Sequence, residues 1–276
     1  MKHLSIPWPG GRRLHVALVD ALIEGATHPA GLKFGSNLRA DLFHRGRWQG
    51  FRDLGSGLVT NVGVLAMAND HAWTLSATPS ALATLKLANW HASGKGTTAA
   101  AATDIKLETI STAGGQTPVA GTQTLVSAAN DQKYRTVATI AYTGTEAVTE
   151  WGLLTDTFVS ATTGSPFTAG SATTGTVTGT PLTASAAQVR GEQQHIFERT
   201  GGTNLSWGLV LSNTTSVITV PAWYLVSSGA AGQAPANAEA YVIRPVIWDR
   251  KVFAAINVGN GDSVQYTYTL TISSGG

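Results

Sequence analysis

Val252-Phe253-Ala254-Ala255-Ile256-Asn257-Val258-Gly259-Asn260-Gly261-Asp262-Ser263-Val264-Gln265-Tyr266-Thr267-Tyr268-Thr269-Leu270-Thr271-Ile272 is the stretch from which the fold class is read. Val264, Tyr266, Tyr268, Leu270 and Ile272 alternate with Gln265, Thr267, Thr269 and Thr271, and Val252, Ala254, Ile256 and Val258 alternate before them. A period of two puts one set of side chains on each face of a strand, the pattern of a half-buried strand. Between the two runs, Gly259-Asn260-Gly261-Asp262 supplies residues that tolerate positive φ. The stretch predicts two strands joined as a β-hairpin.

Outward from it, Tyr134 to Tyr142 is rich in β-branched and aromatic residues and reads as a strand, as do Thr84 to Ala92 and Thr122 to Val126. Leu38 to Phe43 and Trp48 to Phe51 alternate around Arg45-Gly46, a turn signal, and predict a hairpin. Leu58, Val62 and Leu65 recur at helical spacing, which predicts one short helix near residues 58–69. The fold class expected is mainly β: β-sandwich or jelly-roll-like antiparallel sheets, that helix, and a second β-rich lobe.

The lobe is set apart by composition. From Trp151 to Pro235 the only charges are Asp156, Arg190, Glu192, Glu198 and Arg199. Val189 to Phe197, Leu205 to Leu211, Ser216 to Val220 and Trp223 to Val226 are nevertheless strand candidates, so the segment is expected to fold, with a mobile part near 160–182. Glu150-Trp151-Gly152-Leu153 is echoed by Ser206-Trp207-Gly208-Leu209, which suggests two related strands. The organisation expected is 1–57 as an N-terminal docking segment with its hairpin, 58–154 plus 246–276 as a core sandwich, and 155–245 as the inserted lobe.

Composition excludes several function classes. The 276 residues include no Cys, so disulfide scaffolds, Cys-ligated zinc, iron–sulfur clusters and thiol catalysis are out. With 18 Lys+Arg against 16 Asp+Glu, a net charge of +2 argues against direct nucleic-acid binding, which needs many clustered cations. Charged residues make up 12%, roughly half the usual share. No apolar run is long enough to span a membrane, and Pro7, Pro9, Gly10 and Gly11 interrupt the N-terminus before any secretory h-region forms, so neither a membrane nor a secretory leader is expected.

Gly94-Lys95-Gly96-Thr97-Thr98 lacks both the leading Gly and the Ser or Thr after Lys that a phosphate loop requires, and reads as a turn. The seven His never occur as a close pair with a third, carboxylate ligand at metal-binding spacing, and no cofactor or metal is expected. Glu150 beside Trp151 is the best single acid candidate for glycoside chemistry, with a strand-end carboxylate bonded to backbone as the favoured alternative. Arg39, Arg45, Arg47 and Arg52 surround Trp48 and are the candidate docking residues; Trp207, Trp223 and Tyr224 are candidate exposed aromatic contacts.

Gly55-Ser56-Gly57-Leu58-Val59-Thr60-Asn61, the Ser93–Ala100 turn with Asp104 and Leu107-Glu108-Thr109, Val148-Thr149-Glu150-Trp151-Gly152-Leu153, and the ending from Asp249-Arg250-Lys251-Val252-Phe253 resemble a group of virion structural proteins of tailed bacteriophages. The resemblance covers roughly residues 53–154 and 246–276. In shorter members the Glu-Trp-Gly-Leu strand runs almost directly into the Asp-Arg-x-x-Phe strand, so the residues between them here look like an added lobe. It implies a non-enzymatic protein located in the virion and assembled in the host cytoplasm. Its expected role is to decorate or cement the capsid through contacts with the major capsid protein or other virion proteins. A tail, baseplate or fibre component with a possible host-surface-glycan role is the alternative. A homo-oligomer is expected, a trimer by analogy with particle symmetry.

Overall fold

The computed structural model describes residues 5–7, 13–15, 32–66, 87–114, 117–127, 131–157, 166–179, 195–201 and 205–274. Trp8 and Trp73, and parts of the expected helix and of the Thr84 and Val189 strands, lie outside them. The protein is mainly β, with several antiparallel sheets and one short helix. β1 (Ser5–Pro7) and β2 (Arg13–His15) form a small ribbon of their own.

The remaining strands form four sheets. In the outer sheet the order is β4 (Arg47–Gly55), β3 (Leu32–His44), β20 (Asp262–Ser274), β9 (Asp131–Ala141), β8 (Thr122–Ser127). In the central sheet it is β5 (Leu58–Val59), β19 (Ile247–Val258), β10 (Glu146–Leu154), β6 (Trp90–Gly94), β7 (Val119–Ala120). The expected 252–272 hairpin is corrected here. Both strands exist, but β19 pairs with β10 and β5 while β20 pairs with β3 and β9. The turn between them, with Gly261 at φ 87°, carries the chain from one sheet to the other. The two apolar faces therefore meet across the core: Ile256 and Val258 pack in one cluster with Val264, Tyr266, Tyr268 and Leu270. A face-to-face pair buries the apolar side of both strands at once, the logic of a sandwich.

The chain also crosses between these two sheets at each side. β4 passes through Gly55 (φ 72°) into β5, and β7 passes through Gly121 into β8. At Gly121 a Cβ would lie 2.1 Å from Thr136 Oγ1, so the corner needs glycine. The β3–β4 hairpin is thus built into the sandwich as two of the outer sheet's strands, instead of forming a separate N-terminal segment. Residues 61–66 are helical, and Leu58–Val59, expected at the helix start, form β5 because they pair with Arg250 and Asp249. Thr60 Oγ1 accepts from the Gly63 N–H at 3.1 Å and caps the helix.

Beyond the central sheet lie two more layers. The third sheet has the order β17 (Trp223–Leu225), β14 (Ser206–Leu209), β13 (His195–Arg199), β18 (Tyr241–Pro245). The fourth has β11 (Phe167–Gly170), β12 (Thr174–Val177), β16 (Val217–Thr219), β15 (Ser212–Asn213). The expected mobile part includes the β11–β12 hairpin. Val62, Ala66, Ile105, Leu107, Leu154 and Ile247 pack with Ile196, Trp207 and Leu209, joining the central sheet to the third. Phe167, Val177 and Ile218 pack with Phe197, Val210 and Tyr241, joining the third to the fourth. The chain leaves the sandwich after Leu154 and re-enters at Ile247, and its exit and return are stitched by Thr155 N–H to Val246 O at 3.1 Å.

The Trp-Gly-Leu echo has a packing reason. Trp151 stacks on Tyr268 (5.5 Å, 25°) and Trp207 on Tyr224 (4.8 Å, 29°). Each following glycine makes room for a neighbouring layer: a Cβ on Gly152 would stand 2.9 Å from Leu107, and one on Gly208 2.7 Å from Val220.

Candidate docking surface

The Ser93–Thr109, Val148–Leu153 and Asp249–Phe253 segments converge on one buried cluster. Arg250, on β19, donates from Nε to Glu150 (2.6 Å), from Nη1 to Asp104 (2.6 Å) and from Nη2 to the Thr98 carbonyl (3.2 Å). Glu150 also accepts the backbone N–H groups of Gly96 (3.1 Å), Glu108 (2.8 Å) and Thr109 (3.3 Å). Its residue is fully buried. Burial opposes the charge on Arg250, yet the bonds to Asp104 and Glu150 outweigh it and raise the guanidinium pKa further. Glu150 therefore holds the 94–109 loop onto the central sheet, and its oxygens are committed to that task. A Cβ on Gly94 would lie 2.4 Å from the Thr109 carbonyl and 2.6 Å from Glu150. We expect Gly94→Ala to cost about 1–3 kcal/mol through overpacking, read as a lower denaturant midpoint with unchanged slope.

Other buried charges tie the layers together. Lys106 Nζ reaches Glu198 at 2.8 Å, and Arg244 donates to the same carboxylate from the third sheet. Burial pushes the Glu198 pKa up, but these bonds dominate and lower it. Arg199 is bound by Glu239, Ser206 and the Gln233 carbonyl. His91 is buried, and its pKa is lowered to about 3 by desolvation. Trp151 donates to its Nδ1 (3.2 Å), leaving Nε2 to donate to Thr136, which fixes a neutral tautomer.

Asp249 is the exception. It is fully buried, facing the sandwich interior, and neither oxygen has a partner at full hydrogen-bonding geometry. Burial raises its pKa to about 7, with Tyr268 and Ser36 near enough to oppose the shift only in part. Gly57 leaves it space, since a Cβ there would fall 1.9 Å from Oδ1. Among the described residues no group of three or more His, Asp or Glu could hold a metal, and no helix is long and apolar enough to cross a membrane.

The sequence-predicted docking residues divide between two faces. Arg45 (φ 46°) and Gly46 (φ 77°) form the two-residue β3–β4 turn, both with positive φ as a type I′ turn requires. His44 pairs with Asp262, and the Arg45 N–H bonds Gly261 O (3.1 Å), which anchors the tip. Arg45 and Arg47 are exposed. Trp48 (56% exposed) and Phe51 (55%) stand three residues apart, which in a regular strand would put them on opposite faces. A register shift between Leu42 and Phe43, with Gly50 at φ 138°, instead pairs Trp48 with Phe43 and Phe51 with Asp41, so both rings lie on the outer face.

Asp41 organises that face. It accepts Arg39 Nε (2.9 Å) and Nη2 (2.7 Å) and Trp48 Nε1 (3.1 Å), while the Arg39 guanidinium sits 4.0 Å above the Phe51 ring. The Arg39 bond, above all, holds the Asp41 carboxyl below its usual range. The patch is thus preset: two exposed rings, an arginine plane stacked on one, and the exposed Arg45 at the tip, while Arg47, opposite His44, lies on the other face.

Arg52 belongs elsewhere. It lies opposite Ala40, on the inner face, and donates from Nη1 to the Ala254 (3.2 Å) and Ala255 (2.7 Å) carbonyls of β19, clamping the sheets together. Trp207 and Trp223, expected as exposed contacts, are buried at 3% and 2%, because layers stack on both sides of the third sheet; Tyr224 is half-buried against Trp207. Phe51 is not among the docking residues expected from the sequence, and Gly50 within a strand is the signal for the bulge that exposes it.

These features define a class: a layered antiparallel β protein with a preset basic and aromatic surface. Compared with family models, curated proteins and solved structures, the chain matches none.

Proposed function

We propose that this chain is a non-enzymatic structural protein of a tailed-phage virion that docks on an acidic protein surface, decorating or cementing the capsid through the outer face of the β3–β4 hairpin. The observation that carries the reading is the Trp48–Phe51–Arg39 patch, because exposed, prearranged aromatic and arginine side chains are the groups that dominate protein interfaces. Arg45 at the tip gives the face a positive rim suited to an acidic partner. Glu150, the one acid candidate for catalysis, is occupied in the core.

The test is co-sedimentation of the purified protein with heads stripped of it. Trp48→Ala is expected to weaken binding roughly tenfold to a hundredfold without changing the melting temperature, and added salt to weaken wild-type binding further. Binding that ignores both Trp48→Ala and salt would exclude this face. A second reading, a tail or fibre component, is favoured by the same exposed indole, which suits stacking on a sugar ring. Saturable binding to host polysaccharide but not to heads would select it.

A further inference from the structure

The two edges of the outer sheet are built differently. β4 is interrupted by two register shifts and carries Arg47, Arg52 and Asp53, devices that discourage another strand from pairing. β8, at the other edge, has none of them. Thr122-Gln123-Thr124-Leu125-Val126-Ser127 contains no charge, Pro or Gly, and pairs with β9 from Thr122 to Ser127 without a shift. Among the described residues no strand pairs with its other side. Leu125 is 73% exposed, the highest value among the exposed large hydrophobic residues, and Val126 beside it is 37% exposed. We propose that the outer edge of β8 joins two copies of this chain, through an antiparallel β8–β8 pair centred on Leu125 that fuses the two outer sheets into one.

Self-complementarity argues for a second copy as the occupant. Leu125 shares a sheet face with Tyr134, and Val126 shares the opposite face with Lys133. A twofold axis normal to the sheet preserves faces, so it must set residues of like parity against each other. The register that places Leu125 opposite Leu125 also sets Thr124 against Val126. Cross-strand apolar and β-branched pairs of this kind stabilise antiparallel sheets.

Charge permits it too. β8 is uncharged, and the nearest cations, Lys133 and Arg135 on β9, lie three strand spacings from their counterparts across the axis. That separation is about 14 Å, beyond the screening length of about 8 Å. The same axis leaves each β4 edge free and keeps both hairpin faces on one side of the joined sheet. The dimer would present two docking patches in parallel, although the pairing itself does not depend on the docking reading.

Sedimentation equilibrium of the whole chain tests the pairing. Wild type is expected as a dimer at about 100 µM. Leu125→Lys and Leu125→Glu, at an exposed position, should each keep wild-type circular dichroism and weaken self-association roughly tenfold or more, since like charges then face each other. Mixing the two variants in equal amounts should restore a dimer. A wild-type monomer, a trimer, an oligomer that Leu125→Lys leaves intact, or a mixture that stays monomeric would overturn the proposal.

Discussion

An Arg250→Met protein is expected to unfold about 3–5 kcal/mol more easily than wild type in a urea titration. The size follows from what the substitution leaves behind. Glu150 is fully buried, and removing the guanidinium strands its carboxylate in the core with only backbone donors. Asp104 loses its charged partner as well. Pairing Arg250→Met with Glu150→Gln should return part of the loss, because the stranded charge is then gone. If each single change cost less than about 1 kcal/mol, the cluster would not be what fastens the 94–109 loop to the central sheet.

Asp249→Asn has the opposite sign, stabilising the protein by about 4 kcal/mol at about pH 8 and by almost nothing near pH 4. The folded-state pKa of Asp249, about 7, lies above its reference value of 3.8, so the folded chain holds the proton more tightly than the unfolded one. Its favourable contribution is complete below the unfolded value and is lost as pH rises through about 7. Asparagine is neutral throughout and removes that loss. Glu146 works the other way. Burial opposes its charge, but Ser111, Thr112, Ala113 and Lys95 overcome this and lower its pKa to about 2, so its contribution is lost as pH falls toward that value. Wild-type stability should therefore peak in mildly acidic buffer, and the Asp249→Asn profile should stay flat from there into alkali. A wild-type curve flat between about pH 5 and pH 8 would show that Asp249 is ionised or solvated in the fold.

Alternation made the strands readable but not their partners. The period of two in Val264 to Ile272 gives the buried face correctly, with Val264, Tyr266, Tyr268 and Leu270 all in the core. Nothing in that period separates two strands side by side from two strands face to face, and the Gly259–Asp262 turn serves either. What decides is the partner: β10 and β5 occupy the two sides of β19, while β3 and β9 occupy the two sides of β20. The tryptophans show the same limit. Trp207 and Trp223 sit in strands as Trp48 does, yet lie buried because Trp207 packs against the central sheet and Trp223 against the fourth. Arg52 and Arg39 are indistinguishable by spacing, and only the bulge at Gly50 sends one inward and the other outward.

A map of the intact virion with this chain located in it tests the docking account most directly. The account predicts that Trp48, Phe51 and Arg39 lie against an acidic surface of a neighbouring protein, with Arg45 at the rim of the contact. A map in which the outer face of the β3–β4 hairpin points into solvent, while another face makes the contacts, would contradict it.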